Sequence, residues 1–290
     1  MPSPWEHLGR TWLNTRGFAS RFIRTPVGKQ HYFECGAEDP ARPTLVALHG
    51  LSSGATPMGP VLRKLTSHYG RIIAPDMAGH GFSDDPDSLT VDAIYEGIIP
   101  LLESALKGPA VFFGHSLGGA VSLRIAIERP DLVSGLVLLS PAGAPTPADA
   151  HEAWIERFQM IDQEAAAAFV QDLYMKSPAF LPIVAWTCRR LFRRDPVRQL
   201  LASTRRDHAL TGEQLNGLTV PVRFIWGEAE RTLLKVHRDF FIAHLPLHAD
   251  VVTPRHFTHC PYLEYPDQVA ALVAGFVAQR LAQEPLAATA

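Results

Sequence analysis

The chain has 290 residues, of which 47% are hydrophobic and 19% are charged, and its formal net charge is −2 at pH 7. This composition excludes a disordered chain and a protein that binds nucleic acid through a strongly basic surface as default expectations. The length suits one large domain, or one domain with an insertion, better than several small ones, so we start from a soluble globular protein with a single core.

The N-terminal stretch MPSPWEHLGRTWLNTRGF mixes charged and aromatic residues and lacks the apolar segment of a secretory signal. No uncharged apolar run reaches the roughly 18 residues of a membrane span, so we expect no stable membrane insertion. The three cysteines, Cys35, Cys188 and Cys260, are far apart and lack the spacing of a zinc site or a disulfide framework. These features predict a cytoplasmic protein.

Short apolar runs predict the strands. The segment from Phe22 to Cys35 has β-prone residues on both sides of Pro-Val-Gly-Lys, which predicts an antiparallel edge hairpin. Five further runs end in Gly, Pro or a polar residue, as strands buried on both faces do: TLVALHG (44–50), RIIAPD (71–76), AVFFGHS (110–116), LVLLSPAG (136–143) and VRFIWG (222–227). Segments with helical spacing alternate with these runs, which predicts an α/β fold: a mostly parallel central sheet flanked by helices, with functional groups at the carboxyl ends of its strands.

The alternation stops after Gly143. A connector rich in Pro and Ala leads into a stretch from Ala148 to Leu218 in which only helical spacing is found. We interpret this stretch as a helical cap inserted over the strand ends. The expected organisation is a first core part at 1–143, a cap at 144–218 and a second core part at 219–290. A last strand in ADVVTP and a final helix in PDQVAALVAGFVAQRLAQ complete the pattern, and the terminal EPLAATA is expected to fray.

The stretch GHSLGG, from Gly114 to Gly119, lies between an apolar strand and a helix. Small residues two positions before and two positions after Ser116 allow a sharp strand-to-helix turn that lifts the hydroxyl clear of the sheet. A serine that only caps the helix is the alternative, but a cap does not need glycine on both sides. Ser116 is therefore the predicted nucleophile.

With this turn the chain resembles the α/β-hydrolase fold superfamily, in its serine hydrolase branch with a helical cap. The resemblance covers nearly the whole chain and rests on LHGLSSG, APDMAGHGFSD, GHSLGG, WGEAE and THCPYLEYP, in the family's order. It implies that the backbone N–H groups of Leu51 and Leu117 form an oxyanion hole. It also implies that His49 supports a loop, and that Asp76 and His80 are turn and hydrogen-bonding residues.

The base is expected after the last strand, because the family's chain order is serine, acid, histidine. His256 and His259 both lie there. Similar sequences have a histidine, a short spacer, Leu-Glu and a proline, and His259 followed by CPYLEYP keeps that register. The resemblance therefore implies that His259 takes the proton of Ser116, with His256 as the alternative. Cys260 lacks the setting of a nucleophile, and we expect it to be packed.

Members of the family usually have an aspartate three residues after the glycine that ends this strand, here Gly227, so the resemblance implies that Glu230 at that position is the acid. A glutamate is an accepted third member of such triads. Three alternatives stay open. Glu228 lies in the same turn, Asp149 is the first carboxylate after the preceding strand, and an ion pair of Glu230 with Arg231 would leave the triad without an acid.

A serine at the turn argues against the branches of the family that use a carboxylate nucleophile. The resemblance implies a serine hydrolase, carboxylesterase-like with a Ser-His-Glu triad, that cleaves a carboxylic ester, thioester or lactone through an acyl-enzyme on Ser116. A carbon–carbon bond hydrolase of the meta-cleavage-product type is the first alternative. A non-catalytic ligand-binding protein of the same fold is the second.

The expected partner is a small ester or acyl substrate of apolar character, and neither a cofactor, a metal nor nucleic acid is expected. A group of cap residues could wall an acyl pocket, but we interpret most of them as cap core: Phe180, Leu181, Ile183, Val184 and Trp186. The four arginines between 189 and 194 are interpreted as a solvated helix face. The acyl group, the leaving group and the oligomeric state stay open.

Overall fold

The computed structural model of the protein describes residues 2–204 and 208–283, so the terminal EPLAATA lies outside the described residues. The strands are β1 Ala19–Thr25, β2 Gly28–Gly36, β3 Thr44–Leu48, β4 Arg71–Asp76, β5 Ala110–His115, β6 Val133–Leu139, β7 Val222–Ile225 and β8 Asp250–Val252. The helices are α1 Pro4–Asn14, α2 Gly59–Leu65, α3 Val91–Ala105, α4 Leu117–Glu128, α5 Ala148–Gln159, α6 Gln163–Leu173, α7 Leu181–Phe192, α8 Asp195–Ser203, α9 Gly212–Asn216, α10 Lys235–His244 and α11 Pro266–Gln283.

The described strands form one sheet in the order β1-β2-β4-β3-β5-β6-β7-β8. Strand β2 pairs antiparallel with β1 and with β4, whereas every pairing from β4 to β8 is parallel. The α/β class, the mostly parallel sheet and the edge hairpin are therefore confirmed. The carboxyl ends of β3, β5, β6, β7 and β8 meet at one edge, where parallel sheets collect their functional groups.

The central strands are apolar because both faces of the sheet are covered. Val46 and Leu48 pack in the hydrophobic cluster that contains residues of α3 and α4. Leu45 and Ala47, which alternate with them along β3, pack in the cluster that contains residues of α2 and α11. Successive side chains of a strand point to opposite faces, so a continuous apolar run supplies both layers.

Helix α1 is an element that the pattern of strands and helices did not predict. The Ser3 hydroxyl accepts a hydrogen bond from the Glu6 N–H, and the Glu6 carboxylate accepts one from the Ser3 N–H. Pro4 follows at the first helical position, where it needs no hydrogen-bond donor. The helix is fixed to the protein by Leu13, which is fully buried. A serine followed three residues later by a glutamate was the available signal.

Helices α5 to α8 follow β6 and have a small apolar core of their own, to which Phe158, Phe169 and Phe192 contribute. We propose that these helices form the cap, and that α9 lies where the cap rejoins the core, since it packs against α10. The interpretation of Phe180, Ile183 and Trp186 as cap core is wrong, because these side chains are 71%, 54% and 54% exposed. No described helix has both the length and the apolar character that crossing a bilayer requires.

Candidate active site

Ser116 lies in a sharp turn between β5 and α4. Its backbone has φ 52° and ψ −116°, a conformation that strains any residue with a side chain. Two hydrogen bonds hold it: the Ser116 N–H donates to the carbonyl of Leu139 at 3.1 Å, and the Ala142 N–H donates to the carbonyl of Ser116 at 2.9 Å. The neighbouring strand β6 and the loop after it therefore keep the serine in place at the carboxyl edge of the sheet.

The glycines around the serine are required by close backbone contacts. A Cβ atom on Gly118 would collide with the carbonyl oxygen of Leu48 at the end of β3. A Cβ atom on Gly114 would lie 2.6 Å from the carbonyl oxygen of Gly118. The turn can therefore approach the sheet only because both positions lack a side chain.

His259 lies in the loop after β8 and its ring nitrogen Nε2 is 3.0 Å from Ser116 Oγ. The residue is buried, with 5% of its surface exposed. The neighbouring Thr258 donates its hydroxyl to the carbonyl of Leu173 at 2.8 Å and so ties the loop to the end of α6. The structure therefore brings the predicted base into hydrogen-bond contact with the predicted nucleophile.

His256 has different surroundings. Its Nε2 lies 2.9 Å from Gln268 Oε1, and its ring packs edge-on against Tyr265 at 4.7 Å between centroids. It has no hydrogen bond to Ser116 or to Glu230 among the described residues. The alternative assignment of the base to His256 therefore has no geometric support.

Glu230 lies on the other side of His259. Its Oε2 is 2.9 Å from His259 Nδ1, and its Oε1 accepts hydrogen bonds from the N–H groups of Thr232 and Leu233 at 2.8 and 3.1 Å. The side chain is 1% exposed. Burial alone would raise the pKa of this carboxyl, but the positive charge and hydrogen bond of His259 and the backbone donor lower the pKa to about 2. The carboxyl is therefore an anion at neutral pH.

The alternatives for the acid lie elsewhere. Glu228 is exposed, and Asp149 is exposed on α5. Arg231 donates to the carbonyls of Gln171 and Tyr174 at 2.8 and 2.6 Å, so it is not the partner of Glu230. Of the candidate carboxylates, the structure brings only Glu230 to a histidine that contacts Ser116.

His115 is a residue of the site that the sequence patterns did not single out. Its Nε2 donates to the carbonyl oxygen of His259 at 2.8 Å, which fixes the backbone of the histidine that contacts Ser116. Burial, reinforced by the charge of His259, lowers the pKa of His115 to about 3, so the ring is neutral and can keep this donor. Its position next to Ser116 was the only signal in the sequence.

Leu51 follows β3 and Leu117 opens α4, and both border the same cavity as Ser116. In the described part of the chain, neither backbone N–H donates to a protein acceptor. The N–H of Leu117 lies at the start of a helix, where unpaired N–H groups attract negative charge. With the unpaired loop N–H of Leu51, it can serve an anion that forms on a substrate.

The loop that contains Leu51 is held by buried polar side chains, as expected for His49 and Asp76. His49 Nδ1 donates to the carbonyl of Gly50 at 2.8 Å, and its Nε2 accepts from the Met77 N–H at 3.0 Å. Asp76 accepts from the N–H groups of Ala55 and Phe82 at 2.7 and 3.0 Å. Among the hydrogen bonds of the described residues, those of His49 and Asp76 hold the loop and none joins either residue to Ser116.

Two cavities meet at Ser116. The larger, here called the α7 chamber, has a volume of about 680 Å³ and lies under α7. The smaller, here called the α8 chamber, has a volume of about 370 Å³ and lies between α4 and α8. The two chambers share Leu51, Ser116 and Phe158 as walls. Within residues 2–204 and 208–283, no three His, Cys, Asp or Glu side chains are arranged to bind a metal ion.

Comparison with known proteins gives a match of residues 45–272 to a family described as the Alpha/beta hydrolase family. Lipase LipV of Mycobacterium tuberculosis is 40% identical over 116 residues, which are 39% of this chain and 42% of that protein. The chain spans about half or less of the length of the curated relatives that it matches at more than 30% identity.

Two solved structures illustrate the likeness of fold. Carboxylesterase CesB from Bacillus subtilis superposes with a TM-score of 0.75 at 20% identity, covering 94% of this chain and 97% of that one. The 2-hydroxy-6-oxo-6-phenylhexa-2,4-dienoate hydrolase BphD from Rhodococcus superposes with a TM-score of 0.77 at 20% identity, covering 90% of this chain and 99% of that one. At this level of identity the likeness concerns the fold alone.

Proposed function

Because the chain belongs to the alpha/beta hydrolase family, we propose that it is a serine hydrolase that cleaves a carboxylic ester or related acyl bond through an acyl-enzyme on Ser116. The observation that carries the proposal is the continuous hydrogen-bonded series of Ser116, His259 and Glu230. A serine hydroxyl is a weak nucleophile at neutral pH until a positioned imidazole takes its proton. The series supplies that imidazole and the anion that orients it.

In the first step Ser116 Oγ attacks the substrate carbonyl carbon while its proton moves to His259 Nε2. The Glu230 carboxylate accepts a hydrogen bond from Nδ1, so Nε2 is the nitrogen that is free to act as the base. Two backbone donors fix the other oxygen of Glu230, which keeps the acceptor pointed at His259. The same carboxylate stabilises the imidazolium that forms.

The negative charge that develops on the carbonyl oxygen requires donors at the place where it forms. The N–H groups of Leu51 and Leu117 are the proposed donors, since both border the cavity at Ser116 and neither has another acceptor in the described part of the chain. Such donors act on the transition state more than on the substrate, and one of them is worth about 3 kcal/mol in related sites.

Collapse of this intermediate breaks the bond to the leaving group, which takes the proton from His259, and leaves the acyl group esterified to Ser116. A water molecule then enters, gives its proton to His259 and attacks the acyl carbon. The second collapse releases the acid and restores the serine hydroxyl. One histidine thus acts as base and as acid in each half of the cycle.

Esters are favoured over the dienoate substrates of carbon–carbon bond hydrolases by the chamber walls. Among the described residues that border either chamber, Arg124 is the only Arg or Lys, and Asp92 and Glu128 bind it at 2.6 and 2.9 Å. A substrate carboxylate would therefore have no Arg or Lys at these walls that is not already paired, and burying it without a partner is unfavourable.

The proposal is tested with nitrophenyl esters of several acyl lengths, a phosphonate probe and the variant Ser116→Ala. We expect the wild type to hydrolyse at least one ester and to gain the mass of one phosphonate group, and Ser116→Ala to lose at least about 10³-fold in kcat and to lose the labelling. Ser67→Ala, which removes an exposed hydroxyl, serves as the matched control.

Each other outcome contradicts the proposal in a different way. Full activity of Ser116→Ala would exclude the acyl-enzyme. Turnover of a vinylogous diketone ring-cleavage product without turnover of esters would support carbon–carbon bond hydrolysis. Absence of turnover and of labelling would support a ligand-binding protein of the same fold.

A further inference from the structure

We infer that the two chambers divide the substrate between them: the α7 chamber holds the leaving group and the α8 chamber holds the acyl group. The inference rests on the proposed function and adds the substrate class to it. It follows from which chamber His259 borders, because the position of the proton donor decides where the leaving oxygen must lie.

The leaving oxygen needs a proton when its bond to the acyl carbon breaks. The electron pair of that bond goes to the oxygen, and the proton that Ser116 gave to His259 Nε2 is the one that neutralises it. Transfer requires the two atoms to lie about 2.6 to 3.2 Å apart. Among the described residues His259 borders the α7 chamber and does not border the α8 chamber. The leaving group therefore extends into the α7 chamber.

The position of the acyl group follows from the other bonds of the tetrahedral carbon. The tetrahedral carbon has four substituents: Ser116 Oγ, the oxyanion, the leaving oxygen and the acyl carbon. The oxyanion lies near the N–H groups of Leu51 and Leu117, where no further chain has to fit. Leu117 borders the α8 chamber and is absent from the described walls of the α7 chamber. Since the leaving group takes the α7 chamber, the acyl chain takes the α8 chamber, which also borders Ser116.

The α7 chamber suits a bulky apolar alcohol. Its volume is about 680 Å³, and its walls include Phe169, Leu173, Leu191 and Phe192. It opens at exposed apolar side chains, among them Phe180 and Ile183. An alcohol larger than the chamber can extend along this rim without meeting a buried polar group.

The α8 chamber suits a smaller acyl group. Its volume is about 370 Å³, and near Ser116 it is walled by Ala120, Val121 and Leu201. Its walls also include the ion pair of Arg124 and Glu128, whose side chains are 30% and 44% exposed. An apolar chain long enough to reach this ion pair would have to cover charged groups that contact solvent, which is unfavourable. The proposed substrate class is an ester of a short or medium acyl group with a large apolar alcohol.

Two matched variants test the assignment. Ile155→Trp enlarges a side chain that borders only the α8 chamber, and Thr187→Trp enlarges one that borders only the α7 chamber. Both residues are half-buried on cap helices and belong to none of the hydrophobic clusters. The changes are therefore directed at the chambers and not at the core. If a Trp variant lowers the melting temperature, Ile155→Phe and Thr187→Phe take its place with the same expected pattern.

The measurement is kcat/KM for two series of esters. In the first, the alcohol is nitrophenol and the acyl group is acetyl, butyryl or octanoyl; in the second, the acyl group is acetyl and the alcohol is methanol, benzyl alcohol or naphthylmethanol. We expect Ile155→Trp to lower the octanoyl-to-acetyl ratio at least about 10-fold, and Thr187→Trp to lower the naphthylmethyl-to-methyl ratio by a similar factor, because a 10-fold change needs only about 1.4 kcal/mol of steric conflict. Deacylation of an octanoyl-enzyme, in which the alcohol has left, should be slowed by Ile155→Trp.

The failures can be told apart. If Ile155→Trp lowered the naphthylmethyl-to-methyl ratio and Thr187→Trp lowered the octanoyl-to-acetyl ratio, the assignment of the chambers would be overturned. The proposed function would remain intact. Ratios that neither variant changes, in proteins that fold, overturn it as well. Absence of ester turnover and of phosphonate labelling in the wild type overturns the proposed function and the assignment together.

Discussion

The carboxyl edge of the sheet and the cap helices are built differently. At the edge, Ser116, His259 and the side chain of Glu230 are buried, and the backbone or side chain of each residue is held by at least two hydrogen bonds. In the cap, Phe180 and Ile183 border the α7 chamber with more than half of their surface exposed. The residues of the proposed reaction therefore lie where the structure is strongly constrained, and those of the proposed substrate site lie where it is not.

The physical cause of this difference is the cost of burying polar groups. A carboxylate or an imidazole that leaves water must find partners, and each partner restricts the residue types that can stand nearby. An apolar side chain that lines a cavity has no such requirement and can be exchanged for another of similar size. The residues at the carboxyl edge of the sheet can therefore be recognised from sequence motifs, whereas the cap helices can be recognised only from their helical spacing.

The largest expected effect separates the two histidines after β8. His259→Ala should lower kcat by about 10⁴-fold or more, because it removes the proposed base for the proton of Ser116. His256→Ala removes a contact with Gln268 and Tyr265 on the surface side of the loop and should change kcat by less than about threefold. Steady-state kinetics with the best ester measures both. A greater loss from His256→Ala would mean that the loop adopts another course during catalysis.

The next effect separates the two glutamates after β7. Glu230→Gln keeps the size of the side chain and removes the anion, so it should lower kcat by about 10² to 10⁴-fold. Glu228→Gln changes an exposed side chain and should leave kcat within about twofold. Circular dichroism would verify that both variants fold. If Glu228→Gln proved the more damaging change, the constrained part of the edge would have to include another carboxylate.

Acid should lower the free energy of unfolding by protonating buried histidines such as His80. Burial, with a contribution from the charge of His49, lowers the pKa of His80 to about 3, well below the value of about 6.5 in an unfolded chain. Below about pH 6.5 the unfolded state binds a proton that the folded state excludes, so the free energy of unfolding falls as the pH falls, by up to about 1.4 kcal/mol per pH unit for each such group. Glu230 contributes to the pH dependence at lower pH. Its ionised carboxylate stabilises the folded state above about pH 4.5, and this stabilisation is lost as the pH falls towards about 2.

Urea unfolding between about pH 7 and about pH 5 measures this slope. In His80→Asn the free energy of unfolding should fall less steeply with pH than in the wild type, by up to about 1.4 kcal/mol per pH unit. This difference in slope is expected whatever the substitution does to the stability at neutral pH. An unchanged slope would mean that His80 takes up a proton in the folded protein, and the edge would then be less strictly buried than its geometry indicates.

Particular residues show how far the sequence predicts this molecule. The turn at Ser116 was predictable because Gly114 and Gly118 are local requirements of a strand that runs directly into a helix. Glu230 was predictable in position from Gly227, although its hydrogen bonds to the backbone depend on the course of the following turn. These features are short in sequence and strongly constrained.

The features that the sequence did not predict depend on packing between distant parts of the chain. Helix α1 was missed although Ser3 and Glu6 carry a capping signal, because its place in the fold depends on the burial of Leu13 against a distant part of the chain. Phe180 and Ile183 were assigned to the cap core because periodicity marks an apolar face without showing whether a side chain or a cavity lies opposite. Neither the walls of the chambers nor their sizes can be obtained from spacing.

The smallest expected effect tests whether the rim of the α7 chamber is as weakly constrained as its exposure indicates. Phe180→Ser should change the free energy of unfolding by less than about 0.5 kcal/mol, since most of the ring already contacts solvent. Phe169→Ala, in the cap core, should cost about 3 to 5 kcal/mol by comparison, because it leaves a cavity between packed aromatic rings. Urea unfolding of both variants gives the two values. If Phe180→Ser cost more than about 1 kcal/mol, its ring would be held by packing at the rim, and the cap would be constrained beyond its own core.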